Sequence, residues 1–144
     1  MLASHEAVLR ELPQNFYEPG LGDLMHALQL RHAKLWFAGK AANWELAAFE
    51  LHEIHESLDR VALWHRDNTD IPMAPSIKAY MQPGRHALER SIAERNETTF
   101  DAAFDRLTQG CNECHQAAKH SFIVIQRPTQ APLDNQSWAP PQPQ

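Results

Sequence analysis

Apolar residues recur at intervals of three and four through four successive stretches of this chain, and no stretch alternates as a strand would. That period yields helices with one buried stripe each. The first stretch, residues 21–38, puts Leu21, Leu24, Met25, Leu28, His32, Leu35 and Trp36 on one face. Asp23 lies near its positive end, and Gly39 offers a left-handed stop. The second opens at Asn43, a good N-cap, and runs to about residue 66, with Ala47, Leu51, Ile54, Leu58, Val61 and Ala62 inward and an acidic outer face. The third covers about 76–95 on the stripe Ile77, Tyr80, Met81, Leu88 and Ile92, with Pro83-Gly84 expected to kink or interrupt it. The fourth starts near residue 98 and continues past residue 120. Its stripe is Phe100, Ala103, Phe104, Leu107, Cys111, Cys114, His115, Ala118 and Phe122.

Four amphipathic helices on short connections predict an all-α fold, an antiparallel up-down-up-down four-helix bundle. At 144 residues and 16.4 kDa the chain has length for one core. The bundle domain is expected over 1–127, with a further short helix possible over 3–12. From Pro128 the composition changes: five of the ten prolines fall in 128–144, which predicts a mobile Pro/Gln-rich tail, though its Trp138 could dock somewhere. No run of eighteen apolar residues occurs, so no membrane span is expected, and the opening Met1-Leu2-Ala3-Ser4-His5-Glu6 lacks the plan of an export signal. A net charge of -5 without a basic block argues against nucleic acid as a partner. Nucleophilic triads and Gly-rich phosphate loops do not appear.

The two cysteines, Cys111 and Cys114, enclose two residues, so a disulfide between them would staple almost nothing. Their spacing points to chemistry. Cys111-Asn112-Glu113-Cys114-His115 reads Cys-x-x-Cys-His, the covalent attachment signature of haem c. At separations of three and four on a helix, both thiols and the imidazole share one face. The thiols can form thioethers with the two vinyl groups of one porphyrin, and the adjacent imidazole can bind its iron. A dithiol redox pair would want a strand-to-helix context, and the preceding stretch is helical instead. A zinc site would need further ligands, for which His86 and His120 are present without a recognised spacing.

The single motif late in the last helix, the preceding Phe100, Phe104, Leu107, Thr108 and Cys111 pattern, and the helices upstream resemble the class II c-type cytochromes, the cytochrome c-prime and c-556 group of four-helix bundles. Class I cytochromes carry the motif near the N-terminus. The resemblance is strong over about 92–128 and architectural before that. It implies one covalent haem c, redox proteins as partners, possible homodimerisation, and a periplasmic location.

In an antiparallel bundle the last helix ends beside the start of the first, which makes Met25 the expected sixth ligand opposite His115. A thioether is a soft ligand that raises the potential of haem iron. The resemblance agrees, because c-556 types use a Met from the first helix. His32, two turns and about 10 Å further along, is the alternative sixth ligand. Met81 is expected at the wrong end of the bundle, and His26 a quarter-turn off the stripe. The function implied is one-electron transfer. The alternative is five-coordinate iron that binds or senses NO or CO, as in c-prime types; peroxidase-like turnover would need His32 as a distal base. Arg106, Lys119 and Arg127 are candidate partners for the haem propionates. His52 and His55 among Glu50, Glu53 and Glu56 lack the Glu-x-x-His pairs of a di-iron centre and are expected on a solvated face.

Overall fold

A computed structural model of the chain describes residues 19–67 and 70–143; the short helix expected over 3–12 lies outside them. Four helices follow in order, α1 (Leu21–Lys40), α2 (Trp44–Trp64), α3 (Met73–Ala93) and α4 (Glu97–Ala117). No strand occurs among the described residues, so the fold is all-α.

The α1–α2 and α3–α4 connections use one device. Ala42 and Arg95 sit in the left-handed region at φ 54° and 51°. Behind each, the next N–H folds back over the helix end: Asn43 to the Ala38 carbonyl and Asn96 to the Ser91 carbonyl, both at 2.9 Å. This reversal satisfies carbonyls that a helix end leaves open. The same asparagines cap the following helices. Asn43 Oδ1 accepts the Leu46 N–H at 3.2 Å, and Asn96 Oδ1 accepts those of Thr98 and Thr99 at 2.9 and 3.1 Å.

Three local expectations change. Gly39 stays inside α1 and is not its stop; the Phe100 ring lies where a Cβ would stand, so the residue is needed for a close approach. Pro83 does not interrupt α3. Pro83 and Ala79, whose carbonyl it leaves unpaired, are both exposed, so water can serve that carbonyl. Next to it, Gly84 is buried, and a Cβ there would collide with the Leu107 backbone. Finally, α4 stops at Ala117, because Lys119 turns left-handed at φ 60° and the His120 N–H returns to the His115 carbonyl at 2.7 Å. Phe122, expected on the buried stripe, is therefore 77% exposed.

The aromatic residues of α4 hold the core together. His32 and Trp36 of α1 lie 4.4 and 4.9 Å from Phe104, and Trp36 is 6.2 Å from Phe100. Lys40 Nζ donates to Asp101 at 3.0 Å further along. As α1 ascends, its partners on α4 descend, so these two helices run antiparallel. Gly84 against Leu107 and the Tyr80 carbonyl against Gly110 give α3 and α4 the same relation. Leu35, Ala38, Ala47, Val61, Leu88, Phe100 and Phe104 are fully buried. Burial of that kind contributes roughly 1.5–3 kcal/mol per large apolar side chain.

The face of α2 expected to be acidic and external is only partly so. Glu50 is 1% exposed, and Arg31 Nη1 donates to its two oxygens at 3.2 and 3.4 Å. Burial raises the Glu50 pKa, and the Arg31 guanidinium pulls it back. Past α4 the chain is irregular. Trp138 docks against Phe37 at 5.6 Å, with its carbonyl accepting from Asn43 Nδ2 at 3.1 Å.

Candidate functional site

The starts of α1 and α3 meet the end of α4, and a cavity of about 290 Å³ lies between them. Cys111, Cys114 and His115 line it from α4. Opposite, α1 contributes Met25, His26 and His32; α3 adds Met73, Ile77 and Met81. The sequence pattern placed the motif, Met25 and His32 together, and the structure brings them to one cavity. Its volume is at the lower end of the ~300–1,000 Å³ of small-molecule sites. Cys114 and His115 are half-buried and His26 is exposed, so the mouth is on their side.

Two further methionines line the cavity. Met81, expected at the wrong end, lines the cavity, and its Sδ abuts the position a Cβ on Gly110 would take. The antiparallel α3–α4 register explains this: Tyr80 faces Gly110, so the first half of α3 accompanies the last turns of α4. Met73 also lines the cavity, at 4% exposure. Sequence reasoning missed it because Pro72 and Pro75 made its surroundings look like a loop; Pro75 in fact lies in the first turn of α3, where its missing N–H costs nothing. His26 was expected off the stripe yet stands at the rim.

The ring of His115 is held from behind. Its Nδ1 lies 3.0 Å from the Ile123 carbonyl, which can only accept, so Nδ1 carries the proton and Nε2 the free lone pair. A backbone carbonyl behind an imidazole is the support that fixes the tautomer and orientation of a metal-binding histidine. Ile123 is in turn fixed through its neighbour Ile125. Asn112 Nδ2 donates to the Ile125 carbonyl at 2.9 Å, and the Ile125 N–H donates to Asn112 Oδ1 at 2.7 Å. Asn112, a variable position of the motif, thus clips the returning chain across the end of α4. Nothing in the helical period announces that role. Ile123 and Ile125 complete the apolar wall.

His32 is held differently. It is 3% exposed, and its Nε2 is 2.8 Å from Thr108 Oγ1. The Thr108 hydroxyl donates to the Phe104 carbonyl at 3.0 Å, so its oxygen accepts and His32 Nε2–H is the donor. Burial drives the His32 pKa down to about 4, leaving a neutral ring at pH 7. With Nε2 committed to Thr108, His32 is a poorer candidate than Met25 for binding a metal from this side.

Both thiols are neutral as they stand. Cys111 is buried and unbridged; desolvation first, and the neighbouring Cys114 second, push its thiol up to about 12. Desolvation also raises Cys114. Among the described residues the one set of three ligand atoms gathered tightly enough for a single ion is His52, Glu53 and Glu56, on the outside of α2. Cys111, Cys114 and His115 do not converge in that way. Two neutral thiols and one oriented imidazole spread along an apolar wall fit a flat group attached at several points, as haem c is.

The three cations expected near propionates do not line the cavity. Arg127 makes two bonds to Asp105, at 2.7 and 2.6 Å, and its guanidinium lies 4.9 Å from the Trp36 ring centre. Lys119 pairs with Asp70 at 3.6 Å, and Arg106 faces Tyr80 and Glu113 on the outer side of α3 and α4. No described helix is long and apolar enough to cross a membrane. No protein-family model, curated protein or solved structure matches the chain, so its chemistry has to be read from these residues alone.

Proposed function

We propose that the chain is a class II-like c-type cytochrome, an up-down-up-down four-helix bundle that carries one covalent haem c and passes single electrons between redox proteins of the periplasm. The observation that carries this reading is the His115 Nδ1 contact with the Ile123 carbonyl inside a cavity shared with Cys111, Cys114 and Met25. Bound there, haem c supplies a one-electron iron couple. Cys111 and Cys114 are the attachment points. His115 presents Nε2 to the cavity, and the Ile123 carbonyl, through Nδ1–H, makes that nitrogen a stronger donor. Met25, half-buried on α1, would hold the iron through a soft thioether. Leu28, Leu58, Ile77 and Ile125 give the cavity an apolar lining, which would limit reorganisation when charge changes.

The test is the absorption spectrum of the purified holoprotein. This reading expects low-spin spectra in both oxidation states, with a methionine-to-iron charge-transfer band in the oxidised form, converted to high-spin by Met25→Ala with rapid CO uptake by the reduced form. High-spin bands in the unaltered protein would favour the gas-binding alternative. A low-spin spectrum indifferent to Met25→Ala would remove Met25 as ligand.

A further inference from the structure

A second cavity, of about 320 Å³, opens between α2 and α3. Its apolar floor is Leu51, Ile54, Leu58, Ile77, Met81 and Leu107. Three of these residues, Leu58, Ile77 and Met81, also wall the cavity beside the cysteines, so one layer of side chains separates the two spaces. The polar rim is uneven. On α2, His55 Nε2 lies 3.5 Å from Asp59. On α3, Lys78, Gln82 and Arg85 follow one another at helical spacing along the opening. Arg85 is bound by Glu89 at 2.7 Å. Lys78 is exposed and has no carboxylate within 4 Å among the described residues.

An apolar trough with one uncommitted ammonium at its lip is complementary to a molecule with an apolar body and a single anionic head. We propose that this cavity is a binding site for a small aliphatic carboxylate of fatty-acid type, its chain on the Leu51, Ile54 and Leu107 floor and its carboxylate on Lys78, with the Gln82 amide as a further donor. Occupancy presses on Met81 and Ile77, so it is felt at the haem cavity. The site itself does not depend on the haem reading.

The test is calorimetric titration of the full-length holoprotein with decanoate below its micellar range, with the Met81 methyl resonance followed in parallel. The proposal expects saturable one-to-one binding and a shift of the Met81 methyl. Lys78→Gln, at an exposed position, should weaken binding by about tenfold, the value of one charge-assisted contact, with the helical circular dichroism kept. Ala62→Phe, which fills the cavity from α2, should abolish it while the helical circular dichroism is kept. Decyltrimethylammonium, with the opposite charge on the same chain, should not bind. No saturable binding of decanoate, equal affinity for the cationic amphiphile, or a Lys78→Gln protein that binds as the parent does would each overturn the proposal. A colourless protein that still takes up decanoate would sink the haem reading and leave this one standing.

Discussion

Lowering the pH should weaken this fold through His32, and the size of the effect follows from its surroundings. An unfolded histidine titrates near 6.5, whereas burial holds His32 at about 4 in the folded chain. Between those values the unfolded chain binds a proton that the folded one refuses, so stability falls as pH drops from about 6.5 and levels off below about 4. The gap of roughly 2.5 units, at about 1.4 kcal/mol each, sets a loss of about 3 kcal/mol. Glu50 works the other way: its pKa is raised on folding, so its contribution improves as pH falls and masks part of the loss. The two are separated by comparison with His32→Gln, whose amide can still donate to Thr108 but does not titrate. Urea unfolding of both proteins at pH 7.5, 5.5 and 4 measures the difference. The expected result is a parent that loses about 3 kcal/mol more than His32→Gln across this range. Parallel losses would show that His32 is not held neutral by burial.

Four further outcomes follow from the packing. Gly84→Ala should lower stability by about 1–3 kcal/mol, because the collision with the Leu107 backbone outweighs the ~1 kcal/mol that alanine gains in a helix; a more stable variant in thermal unfolding would refute the close α3–α4 approach. Ala42→Gly relieves a left-handed alanine and should raise Tm by about 1–3 °C, where a lower Tm would contradict the turn geometry. Asn112→Ala removes both bonds to Ile125 and should cost about 1–3 kcal/mol in urea unfolding, with faster proteolysis confined to residues 118–127. Thr108→Val takes the acceptor from His32 Nε2–H in a buried place. It should destabilise by about 1–3 kcal/mol, and the cost should vanish when His32→Leu is added, which a double-mutant cycle measures.

The helices were legible because each buries one stripe, and a stripe repeats. Leu24, Leu28, Leu35, Leu51, Ile54, Leu58, Leu88, Phe100, Phe104 and Leu107 all lie where the period placed them. What the period could not show was contact between backbones. Gly39 and Gly84 look like helix breakers along the chain, yet both are sites where a neighbouring helix needs the space of a missing Cβ. The helix ends fell instead at Ala42, Arg95 and Lys119, which carry no left-handed signature and are held by the N–H groups that follow them.

Which residues share the cavity was legible in part. Cysteines and a histidine at fixed separations mark a helix face, and Met25 and His32 followed from antiparallel packing. The supports of those residues were hidden: the Ile123 carbonyl behind His115, with Asn112 clipping Ile125, comes from chain that folds back past α4, and the Thr108 hydroxyl meets His32 across the α1–α4 contact. Met73 and Met81 reached the cavity through the α3–α4 register, which rests on Gly84 and Gly110 rather than on any hydrophobic repeat.

The central claim is that Cys111 and Cys114 carry a haem through covalent bonds. Intact-mass measurement under denaturing conditions, on protein purified from a host with haem-attachment machinery, tests it most directly. The account predicts one species at the mass of the polypeptide plus a single haem, reduced to bare polypeptide by the double change Cys111→Ser and Cys114→Ser. Bare polypeptide mass in the unaltered protein, with both thiols open to alkylation, would contradict it.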